Sequence, residues 1–157
     1  LDSLLKTSVD DSNLGLFSEA YVRNRIREQA MLARRHKTEL AILACIMDGE
    51  YPEEMRGKLA VIVSCAIRTS VRGSDGVAYF EGQKAFVTVL PGSDEEGALI
   101  VARKIAAHLD ALALVDNEGR LLPNMRWRPL RVTGEEKEEE IYQRLFNRQD
   151  RTEETAA

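Results

Sequence analysis

The run Leu40-Ala41-Ile42-Leu43-Ala44-Cys45-Ile46-Met47 constrains this chain more than any other stretch. It is apolar at every position, ends at Asp48-Gly49, and is too short for an independent helix. A strand buried on both faces reads this way, so the run predicts a central strand of a sheet.

The segments around it are patterned to pack on such a strand. Val22, Ile26, Ala30 and Ala33 recur at helical spacing, which predicts a helix over Glu19 to His36 ending in the basic cluster Arg34-Arg35-His36-Lys37. Pro52 opens a second helix, Glu53 to Val71, with Met55, Leu59, Ile62, Val63, Ala66 and Ile67 on its buried side. Val77 to Phe80 and Ala85 to Leu90 read as two strands joined by a tight turn at Glu81 to Lys84. Ser93 with Glu96 forms a capping-box signal before a helix whose stripe is Ala98, Val101, Ala102, Ile105 and Leu109. A turn at Asp116 to Gly119, a strand around Met125 to Val132 and a helix from Glu135 to Phe146 follow. This order predicts an α+β sandwich, ferredoxin-like or palm-like in outline, with helices flanking a mostly antiparallel sheet.

A chain of 157 residues, 44% hydrophobic and 31% charged, is sized and composed for one globular domain. We place that domain at residues 13–146. Leu4, Leu5 and Val9 give residues 1–12 the look of a linker helix, and the polar residues 147–157 are expected to be a disordered tail. The start at Leu1, without an initiator Met or an apolar signal core, reads as a piece cut from a longer protein with an upstream domain. No apolar run approaches the roughly 18 residues that a membrane-spanning helix needs, so a soluble, cytoplasmic domain is expected.

The net charge is -4, and basic residues are interspersed with acidic ones. No face is therefore expected to neutralise many phosphates, which argues against duplex nucleic acid as a partner. The two cysteines, Cys45 and Cys65, sit in apolar stretches without Cys or His at metal-ligand spacing, and are expected to be free buried thiols. His36 and His108 lack a carboxylate or nucleophile constellation and read as surface helix residues. Trp127 alternates with Arg126 and Arg128, the pattern of a core anchor with solvated neighbours.

The segment with recognition chemistry is Arg72-Gly73-Ser74-Asp75. A guanidinium matches the O6 and N7 acceptors of guanine with two parallel hydrogen bonds, and a carboxylate accepts from guanine N1 and N2. At i and i+3 of a terminal helical turn, Arg72 and Asp75 can project toward the same side.

Several ordered segments resemble the GGDEF family, whose active members are diguanylate cyclases that make cyclic di-GMP from GTP. Asp11-Ser12-Asn13-Leu14-Gly15-Leu16 is similar to the family's opening motif, keeping its Asp, Gly and following Leu. The strand from Leu40, the helix to Val71, the Arg-x-x-Asp, the hairpin ending Val89-Leu90-Pro91 and the helix from Asp94 follow the family's order. The resemblance covers Asp11 to Leu112 and weakens toward Phe146.

The departures from the family pattern concern chemistry. The signature hairpin carries Glu81-Gly82-Gln83-Lys84-Ala85-Phe86, so its acidic positions fall on Gln83, Lys84 or Ala85. The family's metal-holding Asp on the first strand has its counterpart near Cys45, with Asp48 the nearby acid, and the guanine-contacting segment shortens to Gly49-Glu50-Tyr51-Pro52-Glu53. The resemblance therefore implies a degenerate, catalytically inactive domain with no metal or cofactor. It implies retention of the family's product-inhibition site for cyclic di-GMP at Arg72 and Asp75. A second arginine of that site has its counterpart at Lys104 with Arg103 beside it, and Arg103 or Arg68 can supply the guanidinium instead. Such a domain is similar to PelD-type cyclic di-GMP receptors, in which a GAF domain precedes the inactive GGDEF domain of a membrane-attached regulator of exopolysaccharide production. Implied partners are cyclic di-GMP, an upstream sensory or GAF-like domain, and a second copy or another protein. Two further readings stay open: a dimerisation or docking module that binds no nucleotide, and an enzyme acting on another nucleotide.

Overall fold

The computed structural model describes residues 16–71 and 76–147. The expected linker helix, Arg72 and Asp75, and residues 148–157 of the expected tail lie outside the described residues. The elements run α1 (Glu19–His36), β1 (Leu40–Asp48), α2 (Glu53–Ser70), β2 (Val77–Phe80), β3 (Ala85–Pro91), α3 (Glu95–Leu112), β4 (Asn124–Arg131) and α4 (Glu138–Phe146). The four strands form one sheet in the order β2-β3-β1-β4, and every ladder is antiparallel. The portion β1 to β4 is a β-α-β-β-α-β unit, the ferredoxin-like outline expected from the sequence.

β1 is the central strand, and its first eight positions are all buried. Its side chains alternate between two cores. Ala41, Leu43, Cys45 and Met47 face α2 and α3 together with Phe86, Leu90 and Trp127. Leu40, Ile42, Ala44 and Ile46 face α1 and α4 with Val87, Val89 and Leu130. This two-sided burial is why the run has no polar residue.

Local signals set the helix ends. Ser18 caps α1 by accepting the Tyr21 N–H at 3.1 Å, and α1 closes through Lys37 in the left-handed conformation. The cap of α3 is Asp94, whose Oδ1 accepts the Gly97 N–H at 2.8 Å, and not Ser93 as the capping-box spacing predicted. Asp competes well for a cap because its carboxylate also meets the positive end of the helix. Asp94→Ala is expected to cost about 1 kcal/mol, read in a thermal melt as a fall in Tm of about 2–4 °C for a chain of this size.

Three further expectations need correction. Met55 is 38% exposed, because it lies in the first turn of α2, before the first buried position of that helix at Gly57. Cys65 is exposed between the buried pairs Val63-Ser64 and Ala66-Ile67, whereas Cys45 is fully buried and burial pushes its thiol pKa up. Finally, α4 begins at Glu138, not Glu135. Gly134 takes a φ of +94°, and a Cβ there would lie 2.6 Å from both the Ala30 carbonyl oxygen and Arg34 Cβ, so the loop presses directly on α1. Glu136 accepts the Thr133 and Gly134 N–H groups at 3.1 and 3.0 Å, which holds this loop out of the helix.

Candidate functional site

Two regions bear on function: the β1 end of the sheet, where the hairpin turns, and the α2–α3 layer beside the start of β2. At the first, β2 and β3 are joined by the 3-10 turn Glu81–Gln83 with Lys84 in the left-handed conformation. The Met47 N–H donates to the Lys84 carbonyl at 2.9 Å, so the turn is stitched to the end of β1. Gln83 is exposed, Lys84 is half-buried, and Ala85 is fully buried opposite Ile46. The side chains at these positions are therefore an amide, an ammonium and a methyl.

Asp48 is the last residue of β1. Its Oδ2 receives Arg126 Nε at 3.2 Å, with the Asp48 side chain 25% and the Arg126 side chain 8% exposed. Arg126 Nη1 has no hydrogen-bond partner among the described residues, so Asp48 is the principal compensation for a buried guanidinium. Both arginines beside Trp127 are buried, which corrects the expectation of solvated neighbours. Trp127 points into the α2–α3 core opposite Cys45, while Arg126 and Arg128 share the other face with Ile46 and Ala44. There Arg128 Nη2 donates to the Asn147 carbonyl just past the end of α4.

The shortened segment after β1 is folded down onto β4. Gly49 has a φ of +98°, and the Asn124 N–H donates to the Tyr51 hydroxyl at 2.8 Å. Tyr51 belongs to the segment Gly49-Glu50-Tyr51-Pro52-Glu53 that the sequence resemblance sets against the family's guanine-contacting stretch. Among the described residues, no group of three or more His, Cys, Asp and Glu is placed to hold a metal ion.

At the second region, α2 and α3 lie side by side on one face of the sheet. Arg68 is exposed in the last turn of α2, and Arg103 and Lys104 are exposed in the middle of α3. Residues 72–75 link Val71, the extended C-cap of α2, to Gly76, and the described structure resumes there. The Gly76 carbonyl accepts Thr88 Oγ1 at 3.0 Å, which ties the entry of β2 to β3 through a buried hydroxyl. The helix pair thus presents the three cations on its exposed side, and the segment holding Arg72 and Asp75 connects α2 to β2. His36 and His108 are exposed, as expected.

Sequence reasoning missed an aromatic pair at this edge. Phe17 forms a parallel bridge with Ala78 and its N–H donates to the Val77 carbonyl at 2.9 Å. Its ring stacks on Tyr21 with centroids 4.4 Å apart and planes 16° from parallel. Two aromatics four positions apart across a Ser N-cap were the available signal. Their placement beside β2 depends on chain pairing that spacing does not encode.

No protein-family model matches the chain, and no curated protein matches it. Solved structures do. The GGDEF domain of YfiN (TpbB) from Pseudomonas aeruginosa is 25% identical over 76% of this chain and 73% of that one, with a TM-score of 0.58. The GGDEF-containing DgcB of Caulobacter crescentus, solved with cyclic di-GMP, is 10% identical over 92% of this chain and 80% of that one, with a TM-score of 0.71. The diguanylate cyclase SiaD of Pseudomonas aeruginosa, solved with its activator SiaC, is 18% identical over 91% of this chain and 57% of that one, with a TM-score of 0.67. The chain has the palm-like fold of GGDEF domains. No helix among the described residues is long and apolar enough to cross a membrane.

Proposed function

We propose that this chain is a catalytically inactive GGDEF domain that acts as a cyclic di-GMP receptor through Arg72 and Asp75, with Arg103, Lys104 or Arg68 completing the site. The observation that carries the reading is a contrast in the sequence: the guanine-gripping Arg-x-x-Asp is kept, and the hairpin has no carboxylate between Gly82 and Phe86. Phosphoryl transfer is catalysed almost wholly by positioning and by divalent ions clamped between carboxylates. Gln83, Lys84 and Ala85 supply no such clamp, and an ammonium at Lys84 repels a cation. The pairing of Asp48 with Arg126 supports the same view, since the acid at the end of β1 already neutralises a guanidinium.

Recognition asks less of the chain than catalysis. Arg72 offers a two-pronged donor to the guanine O6 and N7 edge, Asp75 accepts from N1 and N2, and a cation on α3 meets phosphate. Lys104 can meet phosphate as a point charge, whereas Arg103 or Arg68 can also fork onto a base. Signal output follows as a population shift: ligand favours one docking of this domain against an upstream sensory or GAF-like domain or a protein partner. Solved relatives that hold cyclic di-GMP or an activator protein make both kinds of partner reasonable. Control of exopolysaccharide production is the output that fits a receptor of the PelD type.

Calorimetric titration with cyclic di-GMP tests the receptor, and incubation with GTP and Mg²⁺ followed by product analysis tests the enzyme. Saturable binding at micromolar or lower ligand without cyclic di-GMP formation is expected. Product formation would overturn the inactive assignment. Absence of binding would favour a docking module built on the same fold.

A further inference from the structure

The connection from α3 to β4 is a small hairpin held from within. Val115 and Leu121 pair in an antiparallel bridge, the Leu122 N–H donates to the Leu114 carbonyl at 2.7 Å, and Asp116 Oδ1 accepts the Glu118 and Arg120 N–H groups at 2.8 and 2.9 Å. Yet Leu112, the last residue of α3, and both bridge residues are 52%, 54% and 50% exposed. The charge around them is negative: Asp110, Asp116 and Glu118 stand against one cation, Arg120, which pairs with Asp116 and Glu118. Asp110 lies in the last turn of α3, where the helix dipole favours a cation and no basic residue is present.

The end of α1 has the opposite charge. Met31 and Leu32 are 60% and 40% exposed, and Arg34, Arg35, His36 and Lys37 beside them are all exposed. Arg34 pairs with Glu135 at 3.1 Å, whereas Arg35 and Lys37 have no ion pair among the described residues. The two surfaces cannot meet within one chain. α1 ends next to the start of β1 at Leu40, while the hairpin leads into Asn124, which pairs with Asp48 at the other end of β1. The nine residues of β1, rising about 3.3 Å each, hold these ends ~26 Å apart, and α1 and α3 pack on opposite faces of the sheet.

We propose that the hairpin surface of one chain docks on the α1 end of a second copy, with Leu112, Val115 and Leu121 covering Met31 and Leu32 while Asp110 and Glu118 face Arg35 and Lys37. Charge complementarity selects this partner. One chain carries an apolar surface bordered by carboxylates and another bordered by cations, and contact between copies withdraws both from water. Because the two surfaces differ and lie at opposite ends, the contact is head-to-tail, which leaves one of each free on every pair and builds open chains. A few apolar side chains on each side place it at the weak end of protein interfaces. The contact requires no nucleotide.

Sedimentation velocity of the whole chain at rising concentration tests this. The weight-average mass is expected to climb between micromolar and millimolar protein without a plateau at two chains; a single-chain mass throughout, or a plateau at two chains, overturns the proposal. Val115→Ser with Leu121→Ser removes the hairpin surface, and Met31→Ser with Arg35→Glu removes the basic one, all at exposed positions where substitution leaves the thermal transition nearly unchanged. Each double variant alone is expected to stay a single chain. An equimolar mixture of the two is expected to form pairs that grow no further, because each supplies the surface that the other lacks. Self-association that persists in either variant, or a mixture that stays single, overturns the proposal. Should a double variant melt early, Asp110→Lys decides: it suits the helix dipole, so it is expected to melt no earlier than the unsubstituted chain and yet to weaken association about tenfold or more. Undiminished association in Asp110→Lys overturns the proposal.

Discussion

Replacing Arg72 by alanine is expected to abolish cyclic di-GMP binding at micromolar ligand while leaving the thermal transition unchanged. A bidentate arginine–guanine contact contributes about 1–3 kcal/mol, so its loss lowers affinity by about 5- to 150-fold before any cost at Asp75 is counted. In the proposed site, removing the arginine would also take from Asp75 its complementary positive charge on the ligand. Arg72→Lys separates charge from geometry: an ammonium keeps the attraction for phosphate but cannot fork onto O6 and N7. Little recovery of binding in Arg72→Lys would show that planar recognition of the base matters more than charge. Full affinity in Arg72→Ala would move the ligand, if one binds, to another surface.

The second large effect concerns stability. Asp48→Ala strands the Arg126 guanidinium, which is 8% exposed and whose Nη1 already lacks a hydrogen-bond partner among the described residues. Breaking a buried ion pair by removing one partner costs about 3–5 kcal/mol, and the partial exposure of Asp48 reduces the expectation here to about 2–3 kcal/mol. The measured result would be a fall in Tm of about 4–12 °C for a chain of this size. Asp48→Ala combined with Arg126→Met should regain most of the loss, because an apolar side chain of similar length leaves no charge to compensate. A double variant no better than the single one would show that Asp48 acts through other contacts. The same melts run with and without Mg²⁺ test the pairing from the other side: a cation held by Asp48 would raise the Tm of the unsubstituted chain, and no rise is expected.

Much of the fold was legible because it rests on short-range pattern. β1 announced itself through unbroken apolarity, α1 through its repeat of Val22, Ile26 and Ala33, and the hairpin through two apolar runs around Glu81 to Lys84. The errors lie where one local signal competes with another or with packing. Ser93 and Asp94 are adjacent residues that can both cap, and the acidic side chain took the role. Glu135 and Glu136 resemble a helix start, yet the close approach of Gly134 to α1 delays α4 until Glu138. Cys65 belongs to an apolar stretch, but the helical period turns it outward between buried neighbours.

The candidate chemistry divides in the same way. From the sequence by itself come the strand and helix inventory, the residues Gln83, Lys84 and Ala85 in the hairpin, and the presence of Arg72 and Asp75 in one short segment. Each of these is a property of neighbouring residues, which periodicity and residue type express directly. Tertiary structure alone decided that Asp48 meets Arg126 across 78 positions of sequence, that Arg126 and Arg128 turn away from Trp127 into the protein, and that Phe17 lies on Ala78 with its ring beside Gly76. These follow from strand register and from the order β2-β3-β1-β4. Register is set by the summed packing of both cores, so it brings together residues whose spacing along the chain carries no trace of their contact.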